Sequence, residues 1–154
     1  IIDENHLQLG FKNVIKNTGL MGRWQILLDK PFVVCDTAHN KQGLEIVLNQ
    51  IQKHNFKQLY FVLGFVNDKN LAEILPLFPK EALYYISKPD ILRGLDVQEL
   101  HLNMQNYGLN SVVFEAIESA YHSALKDSSE NDFIYVGGST FVVAEILSFL
   151  SCKE

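Results

Sequence analysis

Six short apolar runs alternate with amphipathic segments along this chain, and that alternation constrains the fold more than any other feature. The clearest unit begins at Phe32-Val33-Val34-Cys35, ends in Asp36-Thr37-Ala38-His39-Asn40, and passes into an amphipathic stretch from Gly43. Leu44, Val47, Leu48 and Ile51 recur there at i, i+3, i+4 and i+7, the spacing of one helical face. A buried strand that releases polar groups into a loop, followed by a helix, is the repeating unit of an open α/β sheet. In such sheets ligands sit in the crevice beyond the carboxyl ends of the strands.

The rest of the chain follows the same rhythm. A short helix is predicted within 7–18, stopped by Gly19-Leu20-Met21-Gly22, and then a strand over 23–28 closed by the turn Asp29-Lys30-Pro31. That close link makes the 23–28 strand the antiparallel member beside 32–36. A helix over 43–54, a strand over 58–64, a polar loop over 66–70 and a helix over 71–78 come next. Pro76 is expected to kink the last turn of that helix and Pro79 to end it. A strand over 82–86, a helix over 96–107 capped by Gly108, and a short strand over 111–114 follow. The helix containing Ile117, Ala120, Tyr121, Ala124 and Leu125 leads to an exposed exit loop over 127–132. The sixth strand, 133–137, then turns through Gly138-Ser139-Thr140 into a last helix with Val143, Ile146, Leu147 and Leu150 on its core face. The reading is α/β: a three-layer, Rossmann-like domain with a mostly parallel sheet of about six strands, one antiparallel edge strand, and helices on both faces.

Composition narrows the function classes. The 47% hydrophobic and 20% charged content of 154 residues is that of a globular protein. No apolar run reaches the ~18–20 residues of a membrane span. A formal charge of −5 with no Lys/Arg-rich stretch argues against nucleic acid as a partner. Cys35 and Cys152 fit neither metal nor disulfide spacing, which points to a reducing, cytoplasmic setting. No metal-ligand set is expected in this chain. The start, Ile1-Ile2-Asp3, has no initiator Met and no leader pattern, so the chain is expected to be a piece of a longer protein.

Right-handed crossovers would bring the loops after Asp36, Gly64, Ile86 and Gly137 to one edge. There they would gather Asp36, His39, Asn40, Asp68, Lys69, Lys88, Arg93, Ser139 and Thr140. Taken singly, each has an ordinary role: Asp36 in an Asx turn, Ser139 or Thr140 as a helix cap, His39 in a hydrogen-bonded loop, the lysines in water. Taken together they suit anionic ligands. Asp36 can accept from a ribose diol, and Arg23 offers a planar fork for phosphate. Ser139 and Thr140 at a helix N-terminus can receive a carboxylate, and Lys69 is a point charge for a second. No G-x-x-x-x-G-K-[ST] loop occurs, so this chain alone would not hold a triphosphate and its Mg²⁺.

Four signatures in this order also resemble the C-terminal domain of the Mur ligases, and most closely that of bifunctional folylpolyglutamate synthase/dihydrofolate synthase. They are Gly22-Arg23, then Asp36-Thr37-Ala38-His39-Asn40, then Gly64 with Asp68-Lys69, then Gly138-Ser139. The first two together are the more specific, and the likeness runs from about Gly19 to Leu150. It implies an ATP-dependent ligase that phosphorylates a folate or dihydropteroate carboxylate and joins it to the amino group of L-glutamate. By the same likeness Arg23 and His39 would be catalytic, and Arg23, Asp36 and Asn40 would bind ATP. His39, Lys69, Ser139 and Thr140 would bind glutamate. Residues 1–18 would be a linker and helix from an upstream P-loop ATPase domain that carries the Mg²⁺ ligands, and 19–154 the glutamate-ligase domain. The family usually has Gly and Pro where this chain has Thr37 and Lys41, and an acid where it has Asn70. Two other readings remain open at this point: a UDP-muramyl peptide ligase domain, and a non-catalytic nucleotide-binding regulatory module of Rossmann type.

Overall fold

The computed structural model describes residues 2–152. Two short helices, α1 (Glu4–Lys12) and α2 (Val14–Thr18), precede the strand pair β1 (Gln25–Leu28) and β2 (Phe32–Cys35). Then come α3 (Lys41–Ile51), β3 (Leu59–Leu63), α4 (Leu71–Ile74) with a 3₁₀ turn over Leu75–Leu77, and β4 (Leu83–Ile86). The chain finishes with α5 (Val97–Asn106), β5 (Asn110–Val113), α6 (Ile117–Asp127), β6 (Phe133–Gly137) and α7 (Thr140–Ser151).

The six strands form one sheet in the order β1-β2-β6-β3-β4-β5. β1 runs antiparallel to β2, and every other pairing is parallel. The expected architecture, including the antiparallel edge strand, is the one observed. Side-chain alternation divides the core in two. Val34, Phe61, Tyr84 and Tyr135 pack against Leu44 and Ile51 of α3 and Leu100 and Met104 of α5. Val33, Cys35, Val62 and Val136 pack on the other face against Ala120 and Ala124 of α6 and Val143 and Ile146 of α7. The two central strands β3 and β6 are buried along their whole length, as strands covered on both faces must be. Cys35 lies in this core, and burial pushes its thiol up to about 12, so it is chemically inert; Cys152 is exposed.

Several local expectations are corrected. The expected helix within 7–18 is two helices broken at Asn13, and it begins at Glu4, where Asp3 accepts the His6 N–H and His6 reaches back to the Asp3 N–H. None of the residues of α1 or α2 is buried, and Leu7, Phe11 and Ile15 are exposed. β1 begins at Gln25 rather than Arg23, because Trp24 adopts a left-handed φ of 44° that no strand permits. α3 begins at Lys41, capped by Asn40, and ends at Ile51. Pro76 does not kink a continuous helix; the chain tightens there into 3₁₀ geometry, which tolerates a missing N–H. The 127–132 segment is not a fully exposed loop. Asp127 closes α6, and Asp132 is buried, accepting from the Ser129 N–H and hydroxyl and from the Gln58 N–H.

Candidate active site at the carboxyl edge of the sheet

The parallel register aligns Cys35 with Val136, Leu63 with Gly137, and Leu63 with Ile86. The loops that leave β2, β6, β3 and β4 therefore start side by side. Backbone bonds continue the alignment past the strands: the Asp36 N–H reaches Val136 O, the Gly64 N–H reaches Gly137 O, and the Ser87 N–H reaches Leu63 O. Because β1 is antiparallel, its leading residues Gly22-Arg23-Trp24 arrive at this same edge.

Gly22-Arg23 and Asp36-Thr37-Ala38 form one hydrogen-bonded unit. The Asp36 carboxylate is buried and accepts the Trp24 N–H at 2.7 Å through one oxygen and the Ala38 N–H at 2.8 Å through the other. The Thr37 N–H donates to Gly22 O at 2.9 Å, and the Gly22 N–H donates to Gln25 Oε1 at 2.8 Å. Gly22 has φ 69°, and a Cβ there would come within 2.9 Å of the Thr37 methyl. The backbone on both sides of Arg23 is thus fixed while its side chain stays exposed.

Asn40 accepts the Gly43 N–H at 2.8 Å, so α3 starts cleanly at Lys41 without the proline common in the family. His39 Nδ1 lies 2.9 Å from Thr37 O. A carbonyl only accepts, so Nδ1 carries the proton in this arrangement and Nε2 is the acceptor of the neutral ring. Asn70, where the family usually has an acid, donates to Glu73 at 2.7 Å and so stays tied to α4.

A cleft of about 160 Å³ gathers His39, Asp68, Lys69, Arg93, Ser139 and Thr140, closed by Val66 and Phe141. Four residues singled out in sequence, His39, Lys69, Ser139 and Thr140, therefore share one space. Arg23, Asp36 and Asn40 do not line it; they belong to the neighbouring unit around the end of β2. Lys69 Nζ lies 3.6 Å from Asp68, and Arg93 lies 3.5 Å from the same carboxylate. Ser139 is buried and accepts the Val142 N–H, capping α7, so the ordinary role foreseen for it holds alongside its place in the cleft. The sequence puts Arg93 at this edge among the residues that follow β4 but gives it no role of its own, and its partner Phe141 carries no polar signal at all. An isolated antiparallel bridge between Val66 and Gly94 brings Arg93 in, a pairing no local pattern announces.

Gly138 makes the turn into α7 with φ 90°, and a Cβ there would stand 2.9 Å from Gly64 O and 3.2 Å from the Phe65 ring. Gly138→Ala is therefore expected to cost roughly 1–3 kcal/mol of stability, read as a lower midpoint in urea denaturation. An unchanged midpoint would mean that the turn relaxes freely. Among the described residues there is no group of three or more His, Cys, Asp or Glu that could hold a metal ion. No helix among them is long and apolar enough to cross a membrane.

The family model described as "Mur ligase, glutamate ligase domain" matches residues 22–140. A probable bifunctional folylpolyglutamate synthase/dihydropteroate synthase of Haloferax volcanii is 30% identical over 134 residues, 85% of this chain and 16% of that protein. The structure of Escherichia coli FolC in complex with DHPP and ADP superimposes with a TM-score of 0.88 over 99% of this chain and 36% of that one, at 24% identity. A bifunctional folylpolyglutamate synthase/dihydrofolate synthase with Mn, AMPPNP and L-glutamate bound superimposes with a TM-score of 0.76, over 86% of this chain and 32% of that one, at 23% identity. The chain thus spans about a third or less of these relatives. The matched segment holds the Gly22-Arg23 unit, the Asp36–Asn40 loop and the cleft up to Thr140, and the chain belongs to the Mur ligase, glutamate ligase domain family.

Proposed function

We propose that this domain forms the glutamate side of an ATP-dependent folylpolyglutamate synthase/dihydrofolate synthase and is incomplete without the rest of that enzyme. The observation that carries the reading is the cleft shared by His39, Lys69, Ser139 and Thr140 beside the Arg23–Asp36 unit. In the proposed reaction an oxygen of the folate or dihydropteroate carboxylate attacks the γ-phosphorus of ATP, releasing ADP and forming an acyl phosphate. The neutral amine of L-glutamate then attacks the acyl carbon, phosphate leaves, and the amine loses a proton. Arg23 would offset charge on the transferring phosphoryl group. Asp36 would face the ribose while it also accepts the Trp24 N–H that follows Arg23, and Asn40 would contact ATP. His39 Nε2 would accept the proton of the attacking amine, and Lys69, Ser139 and Thr140 would hold glutamate.

The remaining two-thirds of the relatives' length would supply a P-loop ATPase domain, with the Mg²⁺ ligands and the pterin pocket. The exposed apolar side chains of α1 and α2, Leu7, Phe11 and Ile15 among them, support a packing role for residues 1–18 against that domain. The D-x-A-H-N form of residues 36–40 favours the folate branch over a muramyl peptide ligase, and no G-x-G-x-x-G follows any strand as a dinucleotide module would require.

An isotope test addresses the acyl phosphate. With the acceptor carboxylate enriched in ¹⁸O, the full-length protein is expected to release phosphate that carries one ¹⁸O per amide formed. Unlabelled phosphate alongside amide formation would rule out this reaction.

A further inference from the structure

The amino acid that the cleft is read to take has two carboxylates, and only one cation of the cleft, Lys69, has been given to them so far. Ser139 is uncharged, and its oxygen already accepts the Val142 N–H, so it offers a carboxylate only its hydroxyl hydrogen. The other cation lining the space is Arg93. We propose that Arg93 is a specificity-determining residue that grips the side-chain carboxylate of the incoming dicarboxylic amino acid, while Lys69 takes its α-carboxylate. This deepens the ligase reading and rests on it.

Depth assigns the two roles. The Lys69 side chain is 21% exposed and that of Arg93 57%, so lysine is the inner cation and arginine the outer one. The α-carboxylate is joined to the carbon that bears the reacting amine, which must lie deep, near His39. The side-chain carboxylate stands farther along the chain of the amino acid and reaches the rim.

Arg93 is also presented rather than loose. Its carbonyl accepts the Asn67 N–H at 2.9 Å, and Gly94 bridges to Val66. Earlier in the same loop the Asp90 N–H donates to Glu145 Oε1 of α7 at 2.8 Å; burial pushes that glutamate's carboxyl up. The guanidinium lies over the Phe141 ring, 5.2 Å from its centroid, which restricts the side chain without occupying its donors. Asp68 stands between the two cations, 3.5 Å from one and 3.6 Å from the other. It bridges them and balances one of their two charges. A ligand with two carboxylates can give each cation a partner of its own, where Asp68 shares one carboxylate between them. A planar fork suits a carboxylate better than a point charge does, because both oxygens are bound at once.

The test uses the full-length protein and compares L-glutamate with L-glutamine, which has nearly the same shape and lacks the second carboxylate. Arg93→Met is expected to raise KM for L-glutamate roughly 10–100-fold, the loss of one charged hydrogen-bonded contact. KM for ATP and the inhibition constant of L-glutamine against L-glutamate should stay within about twofold, which also reports an intact fold. Arg93→Lys should fall between the two, since it keeps the charge and loses the fork. Equal weakening of both amino acids, or no weakening of glutamate, would overturn the assignment of Arg93 while leaving the ligase reading intact. A wild-type protein that transfers no glutamate would instead overturn the ligase reading itself.

Discussion

Arg23→Ala in the full-length protein is expected to lower kcat by roughly 10²–10³ while leaving Tm unchanged. The size follows from other enzymes that lose one preorganised contact to charge developing in the transition state. The expected absence of a stability effect follows from the local geometry. The Gly22 N–H and C=O and the Trp24 N–H are all held by other residues, and the Arg23 side chain points out of the core. Removing it deletes a charge and leaves the frame that presented it. Steady-state kinetics and thermal unfolding on the same preparation check both halves. A kcat within a few-fold of wild type would remove Arg23 from the chemistry.

Asp36→Ala is expected to damage fold and activity together. Each carboxylate oxygen satisfies one backbone N–H, and Asp36 is 7% exposed, so water is a poor substitute. A buried donor left without a partner costs about 1–3 kcal/mol, and two are orphaned here, giving a loss of roughly 2–6 kcal/mol. For a domain of this size that is a fall in Tm of roughly 5–15 °C. The Trp24 φ of 44° is strained for a residue with a side chain, and the Asp36 bond is what holds it. Without that bond the segment carrying Arg23 is free to relax. Activity is therefore expected to fall at least as far as in Arg23→Ala. Calorimetry and kinetics give the answer, and normal values in both would contradict the account of the β1–β2 unit.

This unit explains why two short motifs a dozen residues apart travel together. Gly-Arg and D-x-A-H-N look like independent matches in the sequence, yet the second is the hydrogen-bonding frame of the first. The order and the antiparallel return of β1 were legible, and the bond was not, because it depends on the register that sets Gln25 opposite Cys35 and on the left-handed turn at Trp24. Much of the fold was readable for a simple reason. Central strands covered on both faces must be continuously apolar, and the 59–63 and 133–137 runs are. What stayed hidden involves partners distant in sequence. Asp132 sits in a run of polar residues that reads as solvent-exposed, and it is buried by bonding the N–H of Gln58, 74 residues away. Arg93 is legible as one of the charges at this edge, but the Val66–Gly94 bridge and the Phe141 ring that set its position are not. The cleft residues His39, Lys69, Ser139 and Thr140 were predictable because each follows the end of a strand, and parallel strand ends converge whatever the details of packing.

The central claim is that the carboxyl edge of this sheet serves amide-bond formation to glutamate on a folate. The measurement that tests it most directly is transfer of labelled L-glutamate onto dihydropteroate, tetrahydrofolate and a UDP-muramyl peptide, with ATP and Mg²⁺. The full-length protein would be run as wild type and as Asp36→Ala. The account predicts label on at least one of the two folate acceptors, lost in the variant. Label on the muramyl peptide alone, or on none of the three, would contradict it.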